Sequence, residues 1–553
     1  MSIKAIIFDL DDTLYDCGVL RKQAMKRAAK SMIADGLPLS ENRAYKKQIE
    51  YLEKFGPRCD VFNKMAEEFG VKEKNFVENA LKAYNNDDVG KIESFPGASE
   101  TLIKLRKKYR LILITAGLHI RQMKKIEALG LKDKFDEIVI NDIEKDPDKV
   151  NDFERVLKKS GFCASEFVVV GDRINSEILI GNKLRMKTVQ MLFGKYSDVK
   201  PKDKFEEPDY KIKRITELPL VIKILESERE PKIVCIGGGT GLSRILKGLK
   251  KYTNDITAIV TVTDAGRSSG IIREELKILP PADIKNCLIA LSERSEHVQN
   301  LLRYRFEGKG RLGDMSFGNL FIAALTKITG SFEEAVKEAG EILHIKGRVL
   351  PVTLEDCHIC AELEDGTVFK KDYEIYKRED KARIKIAFLE PEASALPECL
   401  KEIESADLVV IGPGSLYTSI ITNLLMKGMK ESLEKTRAKI IYISNLVTQK
   451  GQTEGYLLSD HIKDLEKYMG KTLDYIIVNK KSPDKKSIEK YKMEGLEIVT
   501  DDIEESYFKK IKEDILWEMK ERPDRGKHDP DIMRHDPEKI AGVLINLING
   551  VNR

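Results

Sequence analysis

The chain has 553 residues and carries 95 basic against 91 acidic side chains, a formal net charge of +4. That length exceeds one hydrophobic core and implies two to four domains, while so even a balance of charge argues against a surface built for nucleic acid. No apolar run reaches the ~18 residues of a membrane-spanning helix, and eight scattered cysteines with no signal-like stretch before Asp9 point to a reducing cytoplasm.

Short β-branched runs at Ala5–Asp9, Leu111–Thr115, Glu137–Asn141 and Phe167–Asp172 alternate with helical patterns. That alternation predicts an α/β fold with a parallel sheet, whose ligands gather at the carboxyl ends of the strands. Between Tyr15 and Phe95 the strand signal gives way to charged, helix-favouring sequence, as in Leu20–Ala34 and Asn63–Tyr84. We read residues 16–94 as an inserted helical cap.

The first strand delivers Asp9 and Asp11 in Phe8-Asp9-Leu10-Asp11-Asp12-Thr13. Alternate positions point the same way, so two carboxylates face one pocket and call for a hard cation, Mg²⁺. Asp9 can then attack phosphorus while Asp11 handles the leaving-group proton. Thr115 closes a second strand and offers a phosphate hydrogen bond. Asp172 closes a third, with Glu177 five positions on, and these acids are directed at the metal.

Together these motifs resemble the haloacid dehalogenase superfamily of phosphohydrolases over about residues 1–225, helical cap included. The resemblance implies that Asp9 is the nucleophile forming an aspartyl-phosphate and that Asp11 is acid, then base. It further implies that Thr115 holds the phosphoryl oxygens and that Asp172 binds Mg²⁺ with Asp9. It also calls for a lysine, for which Lys145 and Lys149 are both candidates. Spacing from Asp142 and to Phe153 favours Lys149. Glu177 stands where aspartate is common, so its metal contact would pass through water.

After Thr188–Leu192 the apolar periodicity fades, Gly194–Pro208 is polar, and a helical stretch near Leu218–Ser227 leads to Pro231. The expected domains are therefore residues 1–228 and 229–553. A second strand series follows at Lys232–Ile236, Ile256–Thr263, Leu408–Ile411, Lys439–Ser444 and Tyr475–Asn479, predicting another parallel sheet. Val349–Phe369 alternates as antiparallel strands do, and Asp501–Arg525 reads as a charged helical stretch before a final helix, Pro537–Ile548.

Gly237, Gly238, Gly239, Thr240 and Gly241 lie between a strand and a helix, where bare backbone amides can cradle a phosphate. Asp264 ends the next strand where a plain dinucleotide fold would place its ribose carboxylate, which keeps a Rossmann reading open. Two more small-residue loops follow, one with Arg267, Ser268 and Ser269, the other with Gly412, Gly414, Ser415 and Thr418. Three loops imply an extended polar ligand, and Asn286, Asn319, Asn445 and Thr448 add amide and hydroxyl groups. Arg267 could pair with a phosphate.

These segments resemble the YvcK-like gluconeogenesis factors, relatives of the 2-phospho-L-lactate transferase fold, over about residues 232–550. The resemblance implies binding of a UDP-sugar such as UDP-N-acetylglucosamine, or of a nicotinamide dinucleotide, and a role in carbon metabolism and envelope-precursor control. Two departures matter. Asp264-Ala265-Gly266-Arg267 stands where the family has Asp-Asp-Gly-Gly, and Asp314-Met315-Ser316-Phe317 where it has Gly-His-Ser-Phe; the missing carboxylate speaks against transferase chemistry.

The expectation is thus two Rossmann-like three-layer domains: a Mg²⁺-dependent phosphatase of a small phosphorylated metabolite, fused to a nucleotide-binding regulatory domain. Neither nucleic acid nor membrane is an expected partner, and a homo-oligomer is left open. Two rivals remain, a non-catalytic metabolite-responsive scaffold and a transferase whose product the first domain edits. Cys357-His358-Ile359-Cys360 reads as strand rather than zinc site, since no second pair accompanies it. His461 and His535 read as surface or capping residues.

Overall fold

Strands covered on both faces need nearly continuous apolar runs, and the runs found in the sequence are ordered into two parallel sheets. The computed structural model describes residues 2–551 apart from 56–58, 86–88, 143–148, 227–229, 265, 309–312, 314, 484, 494, 505–506 and 519–532. Its contacts divide the chain into two units, Met1–Glu228 and Arg229–Arg553.

In the first unit, β1 (Ala5–Phe8), β2 (Arg110–Ala116), β3 (Glu137–Asn141), β4 (Phe167–Gly171), β5 (Lys187–Met191) and β6 (Tyr210–Ile212) form one sheet. Their order is β3-β2-β1-β4-β5-β6, and every pairing is parallel. The chain leaves β1 toward one edge and returns on the other side at β4, so a crevice opens at the carboxyl ends of these two strands. Ile7, Ile112, Ile114, Phe153, Phe167 and Val169 pack in one buried cluster. β6 was not legible in the sequence, because three residues are too few for an alternation signal.

Between β1 and β2 lie four helices, Cys17–Ala34, Glu41–Phe55, Val61–Phe69 and Phe76–Tyr84. They bury a cluster of their own around Met32, Tyr51, Phe62, Met65 and Phe76. The first begins where the Asp16 carboxylate accepts the Gly18 N–H at 2.8 Å, a side-chain N-cap.

In the second unit, β7 (Ile233–Gly237), β8 (Ile256–Val260) and β9 (Arg348–Pro351) precede β10 (His358–Leu363), β11 (Val368–Lys370) and β12 (Ile384–Glu390). Then come β13 (Leu408–Ile411), β14 (Lys439–Ile443), β15 (Tyr475–Asn479) and β16 (Lys509–Glu513). The large sheet runs β16-β15-β14-β13-β7-β8-β9, all parallel, and β11-β10-β12 is a separate antiparallel sheet. Here the crevice opens between β7 and β13.

Three expectations need correction. Residues 349–369 are not uniformly antiparallel, since β9 joins the parallel sheet beside β8 and only β10 and β11 pair antiparallel. Asp501–Arg525 is not helical where it is described: it gives β16 and then β17 (Leu516–Glu518), which pairs with β18 (Met533–His535). Its lysines made it look helical, but β16 is an edge strand, where charge is tolerated and blunts further pairing. His461 and His535 are buried rather than on the surface. His461 Nδ1 lies 2.9 Å from the Leu457 carbonyl and His535 Nε2 3.0 Å from that of Ser444. The cysteine pair falls at the start of β10, with Cys357 and Cys360 both buried.

Candidate functional site

The first site grows from adjacent strand ends. Phe8 pairs with Val170, and the Asp9 N–H donates to the Val170 carbonyl at 2.9 Å, which sets Asp9 beside the Gly171-Asp172 turn. Thr115, buried near the end of β2, pairs with Ile140. Lys149 immediately precedes the helix Val150–Ser160 and points inward. Its buried Nζ lies 2.5 Å from Asp9 Oδ1, 2.5 Å from Glu177 Oε1 and 3.5 Å from the Ile114 carbonyl. One ammonium thus ties three strand ends together. Lys145 lies outside the described residues.

Asp11 is engaged differently. Its carboxylate accepts Lys125 Nζ at 2.9 and 3.1 Å and the Tyr15 hydroxyl. Burial opposes ionisation, but Lys125 and Tyr15 outweigh it and hold Asp11 below the usual carboxylate range. The sequence reading missed Lys125. Its signal was a lysine one turn after Gln122 and next to Ile126, on the buried face of the helix His119–Ala128.

The other acids are strained by dryness. Burial pushes Asp9 up against the pull of Lys149, with Glu177 and Asp11 adding to the rise. Burial, then the charges of Asp9 and Glu177, raise Asp172 to about 8. Glu177 is also buried, yet Lys149 brings it below its ordinary value. Asp172 Oδ1 and Glu177 Oε2 are buried without a hydrogen-bond partner.

Orphaned carboxylate oxygens in a pocket that resists ionisation fit a divalent cation. Among the described residues, however, no three His, Cys, Asp or Glu side chains form a ready cage. The four expected metal-facing acids are therefore not gathered as one set: Asp11 is turned to Lys125 and Glu177 to Lys149. What remains suits Mg²⁺, which commonly binds through one or two carboxylates and keeps several waters.

The second site lies at the β7–β13 crevice. Gly237 ends β7 and Gly239 starts the helix Gly239–Leu249. A Cβ on Gly241 would sit 2.3 Å from the Pro413 carbonyl oxygen, so only glycine lets this helix meet the Gly412–Ser415 loop. Asn423 Nδ2 donates to the Gly237 carbonyl at 2.9 Å, and Asn445 Nδ2 to the Gly414 carbonyl at 2.9 Å. Gln449 holds Ser415 Oγ at 2.9 Å, and Thr418 lies 3.5 Å from Gln452 Oε1. These contacts join Gly237, Gly241, Gly414, Ser415, Thr418 and Asn445 around one crevice.

Elsewhere the grouping is looser. Thr240 is exposed, with its carbonyl accepting Ser243 Oγ at 2.9 Å. Asp264 folds onto its own turn, accepting the Gly266 N–H at 2.8 Å. Ser269 is buried in the helix Arg267–Leu276, while Ala265 and the side chains of Arg267 and Ser268 lie outside the described residues. Asn286 is half-buried in the helix Ala282–Leu291, and Asn319 is buried in the helix Phe317–Thr329. Thr448 is bridged to Glu497 through both backbone and hydroxyl, a structural use of its side chain.

Two charged residues went unread. Asp283 accepts the Gly239 N–H at the start of the glycine helix; burial, then the charge of Asp264, raise it to about 7. Lys285 is buried on the same helix as Asp283. The signal for both was a charge inside the otherwise apolar run Ile284–Leu291 and its first turn.

Comparison with known proteins finds one family match toward each end of the chain. The haloacid dehalogenase-like hydrolase family matches residues 3–184, and 2-phospho-L-lactate transferase CofD matches residues 233–516. A putative gluconeogenesis factor of Thermotoga maritima is 44% identical over 314 residues, 57% of this chain and 98% of that protein. The gluconeogenesis factor of Bacillus subtilis is 44% identical over 322 residues, 58% of this chain and 99% of that protein. A crystal structure of a UPF0052-family protein from Bacillus halodurans covers 58% of this chain and 100% of its own at 36% identity, with a TM-score of 0.53.

Proposed function

Since the chain belongs to the CofD family that includes the gluconeogenesis factors, with a haloacid dehalogenase-like hydrolase domain fused ahead of it, we propose that it is bifunctional. The first unit hydrolyses a small phosphorylated metabolite with Mg²⁺, and the second binds a UDP-sugar or a dinucleotide as a regulatory ligand.

The observation that carries the first half is Asp9, buried and gripped by Lys149 at 2.5 Å, which Glu177 holds in turn. An Asp9 oxygen bonds to phosphorus as the bond from phosphorus to the leaving oxygen breaks, and that oxygen takes its proton from Asp11. Water then attacks phosphorus, passes a proton to Asp11 and frees Asp9 and phosphate. Lys125 and Tyr15 hold Asp11 below the usual carboxylate range, so it takes up a solvent proton as the substrate binds. The arriving phosphoryl charge raises its pKa and readies it for the acid step. Thr115 and Lys149 bind the phosphoryl oxygens. Asp9 and Asp172 would hold Mg²⁺, with Glu177 acting through water; the ion supplies neutralisation of the phosphoryl charge.

For the second half the support is the crevice itself, with a helix N-terminus and two glycine loops at the point where strand order reverses. A second reading, transfer of a phosphoryl-linked group, is favoured by Asp283 beside Asp264, an acid the sequence lacks at Ala265.

Asp9→Asn should abolish Mg²⁺-dependent hydrolysis of an aryl phosphate while leaving UDP-N-acetylglucosamine binding intact. Undiminished turnover in that variant would remove Asp9 as nucleophile. Calorimetric titration with UDP-N-acetylglucosamine and NADP, followed by product analysis, separates binding from transfer.

A further inference from the structure

Lys285 is 7% exposed, and among the described residues its ammonium has one hydrogen-bond partner, the neutral Ser316 hydroxyl at 3.2 Å, and no carboxylate contact. A buried ammonium without a carboxylate contact is costly, and three donors are poorly served by one hydroxyl. Among the described residues, Arg305, Asp283, Arg303 and Asp264 act on it electrostatically. The largest of these influences is that of another cation, Arg305.

Ser316 is the N-cap residue of the 13-residue helix Phe317–Thr329, yet its hydroxyl does not cap that helix. It serves Lys285 instead, and reaches the Leu302 carbonyl at 3.4 Å. Among the described residues the N-cap side chain thus leaves the start of this long helix without its usual bond, with the helix's partial positive charge next to a buried lysine. Gly318 makes this approach feasible, since a Cβ there would lie 2.6 Å from Lys285 Cδ and 2.5 Å from the Leu302 carbonyl oxygen.

An under-satisfied buried cation and an uncapped helix start share one missing complement, an anion with several acceptor oxygens. We propose that Lys285, Ser316 and the start of the helix Phe317–Thr329 form a phosphate subsite of the second unit. It takes a phosphoryl group, either the diphosphate of the nucleotide or a free phosphate. This rests on the nucleotide-binding reading for its biological ligand, and its chemistry is testable without it.

The test is calorimetric titration of the full chain in an Asp9→Asn background, with inorganic pyrophosphate and with UDP-N-acetylglucosamine. Lys285→Met should weaken pyrophosphate binding about tenfold, Lys285→Arg should restore most of it, and Ser316→Ala should weaken it by a smaller factor. Ser316→Ala also serves if Lys285→Met does not fold. A loss under threefold for Lys285→Met, or for Ser316→Ala if that variant stands in, overturns the subsite, as does absence of pyrophosphate binding by the parent. Parallel loss of the UDP-sugar assigns the subsite to the nucleotide diphosphate. Pyrophosphate binding that depends on Lys285, without binding of UDP-N-acetylglucosamine or NADP, keeps the subsite and sinks the nucleotide reading.

Discussion

At the scale of single residues, the first site works by sharing cations among acids. Lys149 serves Asp9 and Glu177, and Lys125 serves Asp11, so the two aspartates of one short motif experience opposite fields. Burial drives Asp9 up, whereas Lys125 and Tyr15 outweigh the same effect at Asp11. Taken alone these shifts run opposite to the proposed roles; Mg²⁺ beside Asp9 would lower it for attack, and the arriving phosphoryl charge would raise Asp11 for proton delivery. A different buried residue gives a pH signature. Burial lowers His535 from its ordinary 6.5 to about 4. The folded state then binds fewer protons than the unfolded one. The stabilisation is complete above pH 6.5 and is lost as pH falls through about 4, up to about 3 kcal/mol in all. His535→Gln should therefore flatten the fall of melting temperature between pH 7 and 4.5, read by scanning calorimetry. Equal slopes for both proteins would refute this.

Among elements, the decisive feature of the second unit is how closely the helix Gly239–Leu249 meets the loop after β13. With a Cβ at Gly241 placed 2.3 Å from a carbonyl oxygen, Gly241→Ala forces the two loops apart. The expected cost is about 1–3 kcal/mol, as for other overpacked sites, seen as a lower denaturation midpoint for this unit. UDP-sugar binding should weaken and aryl phosphate hydrolysis should not change. A variant as stable as the parent would mean that the crevice opens without penalty. The glycines and the strand-end aspartates were legible because strand and turn chemistry leaves local marks. Lys125, Asp283 and Lys285 were not picked out, because a lysine or aspartate reads as solvated until the helix face it occupies is known.

For the whole molecule, each unit has its own parallel sheet and buried cluster. A fragment of residues 1–228 should accordingly fold alone, unfold in one cooperative step and keep Mg²⁺-dependent phosphatase activity. An insoluble or molten fragment would contradict that independence. Among the described residues no helix is long and apolar enough to cross a membrane. The sequence by itself determined the α/β class, the series of parallel strands and the acids and glycines at their ends, since each follows from short-range patterns of burial and turn geometry. Which lysine meets which acid, that the lysine-rich segment near Lys509 is an edge strand, and that Lys285 is buried beside an uncapped helix were decided by tertiary structure alone. These are contacts between residues far apart in the chain, and the free energy of burying a charge depends on what the fold places around it.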